Sequence, residues 1–128
     1  MWTISKEFRF EAAHFLPHHD GKCASLHGHS WRGVAYVTGQ ALSEAGPKEG
    51  MLVDFGEIKA ALNTMLDECL DHYCLNDTLP LSAPTSENVA RWCFDFLRST
   101  APSIPWSAVR IEETCTSSAT YSLGGVYD

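Results

Sequence analysis

The feature that most constrains this chain is His27-Gly28-His29, taken with Glu11-Ala12-Ala13-His14 upstream. In an extended strand alternate side chains leave opposite faces, so His27 and His29 point the same way. Gly28 between them carries no side chain and lets backbone or ligand come close. His14 ends an alternating run in which Trp2, Ile4, Phe8, Phe10 and Ala12 share its parity. If the two segments pair as antiparallel strands, three imidazoles converge on one point. Three neutral nitrogens that leave a fourth position open define a catalytic zinc site rather than a structural one. Cys23 lies close by in sequence and leaves two alternatives. It is either the fourth ligand of a closed site or a free thiol acting as a base beside the metal.

The pattern along the rest of the chain predicts the order β-β-α-α-β-β. Residues 3–14 alternate as a strand, and 15–26, with Pro17, His18, His19, Asp20 and Gly21, read as a loop in which the two adjacent histidines are solvated. Residues 28–38 form a second strand with His29, Trp31, Ala35 and Val37 on one face, and Met51-Leu52-Val53 extends the sheet briefly. Asp54 followed by Glu57 is a helix-start pattern, and Phe55, Ile58, Leu62, Met65, Leu66 and Cys69 recur at helical spacing to about Leu70. A second helix begins after Pro84 with Thr85 or Ser86 as its cap. It buries Val89, Trp92, Cys93, Phe96 and Leu97 and stops before Pro102. Strands follow at 106–114 and 118–123. Two amphipathic helices covering one face of a four-stranded antiparallel sheet satisfy both sets of apolar faces, an α+β sandwich.

Composition narrows the class of partner. At 128 residues the chain is expected to be one domain, residues 1–128, with a core that needs no staples. A net charge of −7 argues against nucleic acid and anionic membranes. An anionic substrate stays compatible, since a metal ion or a few Lys and Arg reverse the field inside a pocket. Lys22 and Arg32 lie near enough in sequence to touch phosphate. The five cysteines are odd in number and show no Cys-x-x-Cys spacing, the start has no signal-peptide pattern, and no apolar run reaches membrane-spanning length. The expectation is a reduced, cytoplasmic protein with free thiols.

Two further stretches carry chemistry. Asp71-His72 follows the first helix, and a carboxylate beside an imidazole suits proton transfer, although neighbours in sequence rarely face each other. Of Glu112 and Glu113 at the end of the third long strand, one must face the core side. Glu113 is that candidate, and an enclosed carboxylate there could accept two hydrogen bonds from an N–C–NH₂ edge such as a guanine or pterin ring presents. Glu112 is expected to be a solvent-facing charge at a sheet edge. Cys69 and Cys93 lie on apolar helix stripes, where a thiol is a small hydrophobe.

In order, Phe10-Glu11-Ala12-Ala13-His14, Cys23-x₃-His27-Gly28-His29, Leu70-Asp71-His72, Pro84-Thr85-Ser86-Glu87-Asn88 and Glu113-Thr114-Cys115-Thr116 resemble the pyruvoyltetrahydropterin synthase superfamily over nearly the whole chain. The short gap between Cys23 and His27 and the Glu-Thr-Cys-Thr ending look most like its bacterial, queuosine-pathway branch. The resemblance implies the tunnelling fold and a homo-oligomer, commonly a hexamer of two stacked trimers with active sites between subunits. It implies Zn²⁺ on His14, His27 and His29, Cys23 as thiolate base and His72, supported by Asp71, as the partner acid/base. It further implies Glu113 as pterin anchor, with Thr85, Ser86 and Glu87 lining the pocket. The implied substrate is 7,8-dihydroneopterin triphosphate, converted to 6-carboxy-5,6,7,8-tetrahydropterin, acetaldehyde and triphosphate. Alternatives are the pyruvoyl-forming reaction on the same substrate and a zinc-stabilised binding module with Cys23 as fourth ligand. A cupin-like metalloprotein fits less well, because Ser30-Trp31-Arg32-Gly33 supplies no Glu after the His pair.

Overall fold

The computed structural model describes residues 1–124. Two 13-residue strands, β1 (Trp2–His14) and β2 (His27–Gly39), form its spine. They pair antiparallel from Trp2 opposite Gly39 to His14 opposite His27. After α1 (Phe55–Met65) comes a π turn (Leu66–Leu70), a two-residue strand β3 (Tyr73–Cys74) and a short helix α2 (Leu75–Thr78). The long helix α3 (Ser86–Thr100) leads into β4 (Trp106–Thr114) and β5 (Ser117–Ser122). Strand order is β3-β1-β2-β4-β5, antiparallel except where β3 joins β1 in parallel. Among the described residues, no helix is long and apolar enough to cross a membrane.

The α+β arrangement agrees with the expectation, with three differences. β3 makes a fifth strand beside the four expected; two residues are too few to print an alternation. The helix predicted to about Leu70 changes hydrogen bonding after Met65, and Asp71 N–H donates to Leu66 O at 2.8 Å across five residues. Residues 51–53 stay out of the sheet, because Leu52 and Val53 pack sideways against the core.

One face of the sheet meets both helices. Phe10, Trp31, Ala35, Val37, Val109 and Ile111 bury against Ile58, Leu62 and Met65 of α1 and Val89, Cys93 and Leu97 of α3. Asp54 caps α1 through Gly56 N–H at 2.8 Å, and Thr85 caps α3 by accepting from Asn88 N–H at 3.2 Å. Cys93 is fully buried, and burial pushes its thiol well up; Cys69 is shifted the same way, mainly by burial.

The opposite face carries charge. Glu112 points there, with Arg32 and Arg110 on its carboxylate, rather than standing as a free charge at an edge. β4 is interior to the sheet, and β5 covers its far side. Arg32 also binds Glu7 at 3.1 Å, so the guanidinium that lies near enough in sequence to touch phosphate is already occupied.

Gly33 shows how tightly the long hairpin is built. It sits opposite Phe8, whose ring lies over it and stacks on Phe10, which stacks in turn on Trp31. A β-carbon at Gly33 would meet three Phe8 ring atoms far inside van der Waals contact. Gly33→Ala is therefore expected to destabilise the fold by about 1–3 kcal/mol through forced repacking. Urea unfolding checks this; an unchanged midpoint would mean that the aromatic row yields freely.

Candidate metal centre

Strand register assembles the centre. His14 lies opposite His27 and Ala12 opposite His29, so all three imidazoles leave the helix-covered face at the loop end of the β1–β2 hairpin. Their ring centroids are 4.6, 4.9 and 5.2 Å apart, each pair edge to face. Trp31 backs the cluster, 4.9 Å from His14 and 5.5 Å from His29, and donates its indole N–H to Ala12 O at 3.1 Å.

The ring tautomers follow from the partners. His14 Nδ1 is 2.8 Å from Pro84 O, and His27 Nδ1 is 2.7 Å from Ser25 O. A carbonyl oxygen only accepts, so both Nδ1 atoms carry a proton and each ring turns its Nε2 toward the centre. Donation of this kind is how a metal-binding histidine is usually oriented. His14 is 1% exposed, and its Nε2 and that of His29 are buried without a hydrogen-bond partner. Burial lowers the pKa of His29, against the opposing charge of Glu113 and with help from His14 and His27. Neutral nitrogens are what a metal needs.

Glu113 completes the group. Between Glu112 and Thr114 the β4–β5 register slips by one residue, and Glu113 is the extra residue of this bulge. Its Oε1 lies 2.8 Å from His29 Nε2 and 3.5 Å from His14 Nε2, and its Oε2 accepts from Ser86 Oγ at 3.1 Å. Ligand atoms of His14, His27, His29 and Glu113 all lie within 4.8 Å of one another, a set able to hold a metal ion. Two imidazole lone pairs fixed by backbone carbonyls and two partnerless buried nitrogens fit that ion well.

The remaining candidates lie around or away from this centre. Cys23 sits half-buried and unpaired in a single 3₁₀ turn, Lys22–Ala24, in the loop that leads into β2. Leu16 N–H donates to Cys23 O at 2.7 Å and pins that loop to the end of β1. Cys23 is not among the four residues of the metal group. Thr85 uses its hydroxyl as helix cap, Ser86 orients Glu113, and Glu87 is exposed on the first turn of α3. His18 and His19 are exposed in the loop, as expected.

Asp71 and His72 lie outside the group that the three imidazoles form with Glu113. His72 has φ of 67°, donates its backbone N–H to Glu11 O at 2.6 Å, and leaves its imidazole 78% exposed. It borders an open cavity of about 530 Å³ together with Glu11, Ala13, Gly28, Ser30 and His29 of the metal group. Asp71 binds twice, through Oδ1 to Glu11 N–H at 2.9 Å and through Oδ2 to His72 Nδ1 at 3.1 Å. Its carboxylate therefore faces the imidazole next to it, against the general tendency of sequence neighbours.

Several contributors were invisible as functional residues. Pro84 and Ser25 act through backbone carbonyls, which residue type does not announce. Asn76 grips both Phe15 N–H and Phe15 O at 2.9 Å and holds the end of β1. An Asn just beyond a strand, where side-chain amides commonly bond to backbone, was the available signal.

A helix-backed, mostly antiparallel sheet with three strand imidazoles at one end defines an α+β protein with a group able to hold a metal ion. The chain belongs to the 6-pyruvoyl tetrahydropterin synthase family, whose model it matches over residues 3–123. It is 51% identical over 94% of its length to the 6-carboxy-5,6,7,8-tetrahydropterin synthase of Synechocystis sp., covering 93% of that protein. The Haemophilus influenzae protein of the same name is 31% identical over 94% of this chain and 99% of its own. Among solved structures, 6-pyruvoyl tetrahydropterin synthase of Caenorhabditis elegans superposes with a TM-score of 0.80 at 30% identity, covering 96% of each chain.

Proposed function

We propose that this protein is a zinc-dependent carbon–carbon lyase that converts 7,8-dihydroneopterin triphosphate to 6-carboxy-5,6,7,8-tetrahydropterin, acetaldehyde and triphosphate, a step toward queuosine. The observation that carries the metal assignment is the set of inward-facing Nε2 atoms on His14, His27 and His29. Likeness to carboxy-forming relatives over nearly the full length favours the lyase over the pyruvoyl-forming reaction.

When bound, zinc supplies Lewis-acid polarisation of the oxygens on the substrate's side arm. The protein's own groups do the rest. The Cys23 thiolate takes a proton from the carbon bearing one of those oxygens, and His72, held by Asp71, exchanges protons on the other side. Triphosphate then leaves, and breakage of a carbon–carbon bond within the arm, with the addition of one water, releases acetaldehyde and leaves the carboxyl group on the ring. Glu113 accepts hydrogen bonds from the N–C–NH₂ edge of the pterin ring, steadied by Ser86, at the mouth formed by Thr85 and Glu87.

Because its imidazole is exposed and lies outside the metal group, His72 is assigned to a site shared with a neighbouring protomer in a homo-oligomer, in keeping with a hexamer of two trimers. Random co-assembly of Cys23→Ala with His72→Ala protomers at equal amounts should leave about a quarter of the sites intact. Activity measured after mixing checks this; a mixture as inactive as its parents would place both groups in one protomer.

The function is tested by incubating zinc-loaded protein with 7,8-dihydroneopterin triphosphate. Acetaldehyde and a carboxypterin are expected, and a pyruvoyl product without acetaldehyde would move the protein to the other branch. Glu113→Gln, assayed at saturating zinc, should raise KM by an amount equal to about 1–3 kcal/mol, since a donor then faces a donor. Glu112→Gln, on the opposite face, should leave KM unchanged. Equal KM values in both variants would remove Glu113 from ring recognition.

A further inference from the structure

One carboxylate faces two demands: Glu113 is the proposed ring anchor, yet it lies against the imidazole nitrogens. A tetrahedral ion with donors at about 2.0–2.2 Å keeps those donors roughly 3.2–3.6 Å apart. Glu113 Oε1 is 3.5 Å from His14 Nε2, within that range, and 2.8 Å from His29 Nε2. The His29 contact is short enough for a hydrogen bond, but the nitrogen makes none. His14 Nδ1 is committed to Pro84 O, which turns its Nε2 toward Glu113. The ligand atoms of Glu113 and all three imidazoles lie within 4.8 Å of one another, a spacing at which one cation can reach the carboxylate and the rings together. Glu113, the extra residue of the β4 bulge, faces the imidazoles, and Ser86 holds only Oε2, which leaves Oε1 to the centre.

We propose that Glu113 is the fourth ligand of the metal in the resting protein and is drawn off it when the pterin ring claims the same carboxylate. This rests on the metal and substrate assignments made above. A three-imidazole, one-carboxylate sphere is closed, whereas the chemistry needs an open position. Recognition of the ring and opening of the metal are then one event: Oε1 leaves the ion, a substrate oxygen takes its place, and no proton or electron is transferred. The carboxylate thereby keeps the metal from acting as an open Lewis acid before the correct ring is seated.

Cobalt(II) in place of zinc makes the coordination visible. Wild-type protein should bind one cobalt per protomer with the intense visible absorption of a four-coordinate site. Glu113→Ala should bind cobalt at least about 10–100-fold more weakly and absorb differently, with water in the vacated position. Biopterin, which has the ring and a hydroxylated arm but no phosphate, should change the wild-type spectrum and leave that of Glu113→Ala unaltered. Glu113→Gln, of the same size, repeats the comparison if the alanine variant does not fold, with the chelator-treated melting curve as fold control. Cobalt affinity and spectrum equal to wild type in both variants would overturn the proposal while leaving the three-imidazole metal site intact. A wild-type spectrum indifferent to biopterin would overturn the exchange. Wild-type protein that takes up no cobalt would remove the metal assignment itself and this proposal with it.

Discussion

His27→Ala is expected to lose bound metal and turnover together. His27 supplies one of three inward nitrogens, and its ring is fixed by donation from Nδ1 to Ser25 O at 2.7 Å. Removing an outer partner of a metal-binding histidine already weakens metal binding by about 10–100-fold, so loss of the ligand itself should exceed that. The fold should survive. His27 is only half-buried at the loop end of the hairpin, and the core below it is closed by Phe10, Trp31 and the helix residues. His14→Ala is a less clean experiment, because His14 is 1% exposed and packs on Trp31, so its loss also opens a cavity. Metal content by atomic absorption, with a melting curve on the same sample, decides the matter. Near-stoichiometric zinc in a folded His27→Ala protein would place the metal elsewhere.

Much of this centre was legible in the sequence, for a physical reason. A strand has a period of two, so His27 and His29 had to share a face and His14 had to share one with Phe10 and Ala12. Only the pairing of the two strands was then needed to bring the rings together. The same rule put Glu113 on the core side and Glu112 on the other. It could not give Glu113 its reach toward His29, because a bulge is a local break in the period that no single residue here announces. The salt links of Glu112 were hidden too, since they depend on Arg32 and Arg110 from two strands meeting across the open face. β3 and the π turn escaped for want of length. The position of Asp71-His72 depends on where β3 docks, and that docking runs through backbone bonds to Glu11 that side-chain patterns do not encode.

Cys23→Ala is expected to keep its metal and fold yet lose turnover by about 10²–10⁴-fold, the usual consequence of removing a general base. Which groups fill the sphere decides this. The convergent donors are His14, His27, His29 and Glu113, and Cys23 is not one of them. It occupies a 3₁₀ turn without buried residues, anchored by its backbone carbonyl to Leu16 N–H, so truncating its thiol leaves that anchor in place. A thiol in that position is free to meet substrate once the site is filled. The variant should therefore match wild type in zinc content, melting temperature and cobalt spectrum, and differ in the chemical step. The measurement is kcat against KM: loss of a base lowers kcat with little change in KM, whereas loss of a ligand would first show as lost metal. Zinc loss and unfolding in Cys23→Ala, with the other four cysteine positions tolerant of alanine, would instead favour a closed Cys-His₃ module. Full turnover with full zinc would make the thiol a bystander, and the base would then have to be sought at His72.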